Sequence, residues 1–166
     1  MITIHPSKDQ VELAKIFANK NPDGYNKHSY RKGGLILESR LSEIAIGEYY
    51  GLDIVDDYNY DFISSNGTTI DLKTKPRSDY EPQLSWNACV PAYQVSQQRC
   101  DYYLFNRINR KLDKIWVLGH ISKYEFEKEA FFVKKGENDP DSSPRKPWVC
   151  PEDAFYIKIN KLKNKV

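Results

Sequence analysis

The 166-residue sequence predicts an α/β fold in which helices flank a central mixed β-sheet. Three observations carry this. Two stretches near the N-terminus repeat apolar residues at helical spacing. Residues 58–74 alternate as two strands around a tight turn. Residues 84–106 read as strand, helix, strand, which permits a parallel crossover. The length suits one domain, 1–166, with 35–134 as its core, and no internal repeat or composition break divides it.

Composition narrows the class of protein. With 40% hydrophobic and 13% aromatic residues the chain is globular rather than disordered. No apolar run approaches the roughly 20 residues of a membrane span, and the N-terminus lacks a signal-peptide pattern, so the expectation is a cytoplasmic protein without a membrane partner. A net charge of +2 is too small to argue for nucleic acid, although basic residues cluster at 27–32, 73–77, 107–111 and 158–165. Cys89, Cys100 and Cys150 are odd in number and form no C-x-x-C pair, so reduced, mostly buried thiols are expected. His5, His28 and His120 have no metal-ligand spacing, which supports neither a zinc site nor an HNH-type site.

In chain order, Ser7 to Gln10 is a capping box that opens a helix to about residue 19, with Leu13, Ile16 and Phe17 facing inward. Asn21-Pro22-Asp23-Gly24 stops it. The next loop, 25–34, interleaves Tyr25 and Tyr30 with Lys27, His28, Arg31 and Lys32. It suits a phosphate backbone with stacked tyrosines, and equally an ordinary polar loop. A second helix, 35–50, carries the stripe Leu37, Leu41, Ile44 and Ala45 and ends at the C-cap residue Gly51. Glu43 lies on another face beside Ile46, Gly47 and Tyr50, where a carboxylate is costly unless paired or metal-bound.

Residues 58–64 and 68–74 read as hairpin arms around Ser65-Asn66-Gly67. A three-residue loop with Gly67 in the left-handed region sets Ser64 opposite Thr68, Phe62 opposite Ile70 and Asp61 opposite Asp71. Asp61, Asp71 and Lys73 then share one face, and Phe62, Ile70, Tyr60 and Leu72 the other. Two carboxylates and a lysine on one face would make a hard-cation site suited to Mg²⁺ or Mn²⁺, though such charges on a hairpin are also commonly just solvated.

Further on, Lys75 and Arg77 continue a basic edge, and residues 84–90 read as a strand with Asn87 facing away from its apolar side. A helix from Pro91 to about residue 99 shows Gln94, Gln97 and Gln98, at least two of them in a solvent-facing polar stripe. Strands at 101–106 and 114–120 flank a basic turn, and Ser122 with Glu125 caps a short helix to residue 130. Residues 131–134 suit a strand, 135–153 a long surface loop anchored by Trp148, 154–159 a last strand, and 161–166 a basic tail.

The residues Glu43 to Gly51, then Asp61, then Asp71-Leu72-Lys73 resemble the PD-(D/E)XK nucleases, the restriction-endonuclease-like superfamily, and small phage-type members most of all. The resemblance implies a restriction-endonuclease-like core and a Mg²⁺-dependent DNA endonuclease, with Mn²⁺ as a substitute ion. By position Glu43 would be the helix acid, Asp61 and Asp71 the metal-binding carboxylates, the Leu72 carbonyl a further ligand, and Lys73 the catalytic lysine. Tyr60 stands where the motif's name has proline. Some members also place a glutamine of the following helix beside the metal, in a Q-x-x-x-Y pattern that Gln98 and Tyr102 match in spacing, which makes Gln94 and Gln98 accessory candidates. DNA would be gripped by Lys27, Arg31, Lys32, Lys75 and Arg77, and cutting of both strands would call for a homodimer. A phage-encoded enzyme would act in the host cytoplasm. The alternative is a nucleic-acid-binding module on the same scaffold that no longer cuts.

Overall fold

The computed structural model describes residues 1–21, 35–55, 57–77, 80–143, 145 and 147–163. Its architecture is α/β, with four helices packed around a curled, mixed six-stranded sheet and a second, three-stranded sheet.

The first helix, α1 (Lys8–Lys20), begins as its capping box requires: Ser7 Oγ accepts from Gln10 N, and Gln10 Oε1 accepts from Ser7 N. Its inward face differs from expectation. Ala14 is fully buried, whereas Leu13 and Ile16 are 56% and 45% exposed. Helix α2 (Leu35–Tyr50) packs along α1 and buries Leu41, Ala45 and Ile46, so the small Ala14 is what lets the two helices approach. Glu48 secures the pair by accepting from Gln10 Nε2 at 2.6 Å. Helix α2 ends, as read from the sequence, at Gly51 with φ +65°.

The large sheet runs in the order β1 (Ile2–Ile4), β7 (Ile115–Ser122), β6 (Tyr102–Asn109), β4 (Thr69–Arg77), β3 (Phe62–Ile63), β2 (Asp53–Ile54). Neither β1 nor β2 is apparent from the sequence, being three and two residues long. The parallel pair is β4 with β6, from Ile70↔Tyr102 to Arg77↔Asn109. Asp101 sets its register by accepting from Thr69 N and Thr69 Oγ1, both at 2.8 Å.

The strand expected at 84–90 is shorter, β5 (Asn87–Pro91), and it leads into α3 (Ala92–Gln97). Leu84 is exposed, and Trp86 N closes a turn onto Gln83 O at 3.0 Å. The expected parallel crossover is therefore corrected. β5 belongs to the second sheet, β5–β9–β8, with β8 (Phe131–Val133) and β9 (Ala154–Lys158) antiparallel to their neighbours. Between the sheets lies a core of Ala88, Val90, Tyr103, Phe105, Leu118 and Ile157. It is closed by Phe126 of α4 (Lys123–Glu129). The opposite face of the large sheet packs Ile70, Leu72, Leu104 and Ile108 against α1 and α2. Among the described residues no helix is long and apolar enough to cross a membrane. All three cysteines are free thiols, Cys100 and Cys150 buried and Cys89 half-buried.

Candidate active site

The hairpin turn takes the expected three-residue form. Ser64 N donates to Thr68 O at 3.0 Å, Gly67 has φ +84°, and the ladder pairs Phe62↔Ile70 and Ile63↔Thr69. At Asp61 the arm steps out of register. Asp61 N donates to Ile70 O at 3.0 Å, so Asp61 and Phe62 both stand against Ile70, the pattern of a β-bulge. The extra residue turns the Asp61 carboxylate along the neighbouring strand, where Oδ2 accepts from Leu72 N at 2.6 Å. It also reverses the alternation beyond it. Tyr60 is thus not opposite Leu72 on the apolar side but packs with the core between the sheets. In an extended strand a residue's N–H and C=O point the same way, so the Leu72 carbonyl faces the gap that Asp61 leaves in the ladder.

Asp71, Lys73 and Lys75 project to the face opposite Ile70 and Leu72. Lys73 Nζ lies 2.5 Å from Asp71 Oδ2, and it donates to Gln94 Oε1 at 2.8 Å and to Gln98 Oε1 at 3.1 Å. Gln98, only 4% exposed, also donates through Nε2 to Asp71 Oδ1 at 2.9 Å and to Tyr58 O at 3.1 Å. Its amide orientation is fixed, because a carboxylate and a carbonyl both need a donor while an ammonium needs an acceptor. The expected solvent-facing glutamine stripe is corrected: Gln94 and Gln98 hold Lys73, and Gln97 accepts from the Tyr58 hydroxyl at 2.8 Å. Gln98 caps α3 while Tyr102 opens β6, so the two do not share a helix.

Glu43 of α2 is near enough for its charge to act on Asp61. Arg40 Nη1 donates to Glu43 Oε2 at 2.8 Å and stacks over the Phe17 ring of α1 at 4.3 Å, which answers the cost of a mostly buried carboxylate. Gly47, one turn on, permits close approach to the hairpin, since a Cβ there would lie 3.1 Å from Ile54 and 3.2 Å from Phe62.

Burial raises the pKa of Asp61 well above the ordinary carboxylate range. The charges of Asp71 and Glu43 add to this, against Lys73 and the Leu72 N–H. Asp71 is raised by burial too, and held back by the charge of Lys73 and by hydrogen bonds from Lys73 and Gln98. A carboxylate whose pKa is raised by folding costs stability as pH climbs from its unfolded value, about 3.9, through its folded one. In EDTA, Asp61→Asn should therefore gain stability relative to wild type across that window. Paired thermal melts at successive pH values measure this, and a difference that does not change with pH contradicts it.

Among the described residues no three His, Cys, Asp or Glu side chains stand close enough to enclose one ion by themselves. Asp61 and Asp71 offer carboxylate oxygens, the donor type that Mg²⁺ takes one or two of before completing its shell with water and phosphate, although both Asp71 oxygens here contact Lys73 and Gln98.

The remaining basic candidates divide. The 25–34 loop, with Lys27, Arg31 and Lys32, lies outside the described residues, as does the side chain of Arg77. Lys75 is not a free surface cation. Its Nζ pairs at 3.2 Å with Asp139 Oδ2, in a carboxylate 1% exposed, and lies 5.5 Å over the Tyr156 ring. Tyr156 Oη donates to the same Asp139 oxygen at 3.2 Å. Arg107 is also buried, its Nη2 donating to Asp141 Oδ2 and Asn87 O, both at 3.0 Å. The 135–153 segment is thus more than a surface loop: the carboxylates of Asp139 and Asp141 clamp it onto the sheets. Trp148, expected as its packed anchor, is 45% exposed at a cavity mouth. Asp139 Oδ1 accepts locally from Asp141 N at 2.8 Å, but the Lys75, Asn87, Arg107 and Tyr156 contacts of Asp139 and Asp141 span 17 to 64 residues and leave no local sequence mark. The chain matches no protein-family model and no curated protein.

Proposed function

We propose that the chain is a Mg²⁺-dependent DNA endonuclease of the PD-(D/E)XK kind, on a restriction-endonuclease-like core. The carrying observation is Lys73 seated 2.5 Å from Asp71 with the Asp61 carboxylate turned into the same neighbourhood, beside adjacent strands of one sheet. Asp61, Asp71 and the Leu72 carbonyl would hold the ion. Bound there, Mg²⁺ would polarise a phosphoryl oxygen and lower the pKa of a water.

The chain's own residues supply positioning. Lys73, fixed by Gln94 and Gln98, presents an ammonium where a phosphodiester's charge develops and can orient the attacking water in line with the leaving oxygen. Glu43, steadied by Arg40, adds negative charge near Asp61 and is suited to orient metal-bound water or act as a further ligand. The buried cluster excludes bulk solvent, which strengthens each of these interactions.

Labelled duplex, single-stranded and branched DNA incubated with Mg²⁺, with Mn²⁺ and with EDTA tests the reading. Products are expected with either metal and none with EDTA. DNA binding without cleavage on all three substrates would instead favour a silent nucleic-acid-binding module.

A metal-binding readout is independent of substrate. Mg²⁺ at a hundredfold excess over Kd should stabilise the wild type by about 2.7 kcal/mol. Asp61→Asn should lose most of that shift in a thermal melt, and an equal shift in both proteins would count against the site.

A further inference from the structure

Among the described residues the small sheet ends in an open edge. Strand β8 is its outer strand, and Phe131 and Phe132 are both exposed although successive strand residues face opposite ways. We infer that β8 is an interaction surface whose partner is a second copy of this chain, paired antiparallel about a two-fold axis at Phe132. The inference does not rest on the nuclease reading: a dimer would carry two candidate active sites whatever their chemistry.

Backbone direction singles out Phe132. Ile159 N donates to Trp86 O and Ala92 N to Asp153 O, both at 2.9 Å, at the two ends of the ladder Asn87↔Lys158 to Pro91↔Ala154. Along an antiparallel strand these groups alternate in direction, so Phe155 and Ile157 bond to β5 while Ala154 and Tyr156 turn theirs to β8. Phe131↔Tyr156 and Val133↔Ala154 are therefore the bonded pairs, and Phe132 between them turns its N–H and C=O outward. The neighbouring outward N–H groups are already used: Ala130 N donates to Phe126 O and Lys134 N to Glu137 Oε2, both at 2.9 Å. The edge thus offers one donor and one acceptor on the same residue. An antiparallel second copy satisfies both by setting its own Phe132 opposite, with one hydrogen bond each way.

The side chains suit that register. Pairing about Phe132 sets Phe131 against the second copy's Val133 and Glu129 against its Lys135. Glu129 closes α4, but Ala130 is extended, with φ −75° and ψ 145°, which keeps Glu129 in line with the strand. At the other end Lys135 N donates to Asp153 Oδ1 at 2.8 Å, so the chain still runs along β9 there. Glu129 pairs with Lys161 of its own chain at 3.1 Å, yet it stays about half exposed and can take a second ammonium. The two-fold makes the charge pair twice. On the opposite face the two Phe132 rings stand against each other, each backed by Phe155 at 5.4 Å between centroids. Lysines beside an edge strand ordinarily discourage pairing, but here Lys135 meets an opposite charge. A three-residue edge lies at the small end of specific interfaces, about 1,200 Å², so the dimer is expected to be reversible.

The test is sedimentation velocity at low salt from about 1 µM to about 1 mM, where wild type should pass from monomer to dimer. Phe132→Lys sets two ammonium groups together at the axis and should weaken the dimer at least about tenfold. Glu129→Lys should weaken it about three- to tenfold, and adding Lys135→Glu should restore most of the loss. Thermal melts check that each variant folds; if Phe132→Lys does not, the charge variants decide. A wild type that stays monomeric throughout, or a dimer that Phe132→Lys and Glu129→Lys both leave unchanged, overturns the pairing. A loss in Glu129→Lys that the second exchange does not recover overturns its register about Phe132.

Discussion

Asp71→Asn is expected to reduce Mg²⁺-dependent DNA cleavage by on the order of 10³-fold while leaving the fold and DNA binding intact. The substitution removes one of two metal-binding carboxylates but keeps its shape. The amide oxygen that replaces one carboxylate oxygen can still accept from Gln98 Nε2, as Asp71 Oδ1 does at 2.9 Å, but the amide nitrogen then stands where Oδ2 lies 2.5 Å from Lys73 Nζ, and the two donors must part. Losing the charge relieves the burial that raises the Asp71 pKa, but it leaves the Lys73 ammonium held by Gln94 and Gln98 alone, so stability in EDTA should fall, by less than the about 3–5 kcal/mol of a fully uncompensated buried charge. DNA should bind as well or better, since a carboxylate facing phosphate repels it. Cleavage rates, gel-shift affinity and a thermal melt on the same preparation separate these effects. A variant that cuts as fast as wild type would remove Asp71 from the chemistry, and one that neither folds nor binds would make its role structural.

The largest loss of stability is expected from Asp141→Ala. Asp141 and Arg107 are 8% and 3% exposed in their side chains and 3.0 Å apart, and Asp141 also takes both the backbone and side-chain N–H groups of Asn87. Removing it strands a guanidinium and two donors inside the protein. Breaking such a pair costs about 3–5 kcal/mol, roughly 6–20 °C in melting temperature for a chain of this size. Glu129→Ala offers the contrast. Its partner Lys161 is 3.1 Å away, but both side chains are about half exposed, so the loss should stay under about 1 kcal/mol. Urea melts of the two variants beside wild type measure the difference. Equal, small losses would mean that the clamped segment contributes nothing to the fold.

What the sequence makes legible is local. Asn66-Gly67 with aromatic and β-branched arms admits one register that satisfies both hairpin faces, and that register is present as far as Phe62. The capping box at Ser7, the N-cap Ser122 and the terminal Gly51 likewise mark helix ends within a turn of themselves. Patterns of this kind carry no signal for the bulge at Asp61, because an extra residue in an arm reads as uninterrupted strand. Leu13 and Ile16 mislead because helical periodicity finds an apolar face but not which edge of it the neighbouring helix covers; Ala14 sits there instead. Strand β5 joins the second sheet rather than the first because strand–helix–strand order is equally compatible with a chain that changes sheets.

The candidate site divides in the same way. Asp61, Asp71 and Lys73 share one short hairpin, so their nearness is legible from spacing although the bulge that turns Asp61 is not, and Glu43 follows from a carboxylate out of place on an apolar helix. Gln98 reaches Lys73 across 25 residues of chain, and Lys123 reaches Gln98 across 25 more. Lys123, which donates to Gln98 O and lowers the Asp71 pKa, has no sequence signature at all. Lys75 shows the converse, a lysine in a basic run whose partner, Asp139, is 64 residues away in a stretch without periodicity.

The most direct test of the proposed site is the nicking of supercoiled plasmid by wild type and Asp71→Asn, each with Mg²⁺ and with EDTA. Relaxed circles are expected from wild type with Mg²⁺ alone. Nicking that survives EDTA, or that Asp71→Asn performs equally well, would contradict a metal-dependent site built on Asp61, Asp71 and Lys73.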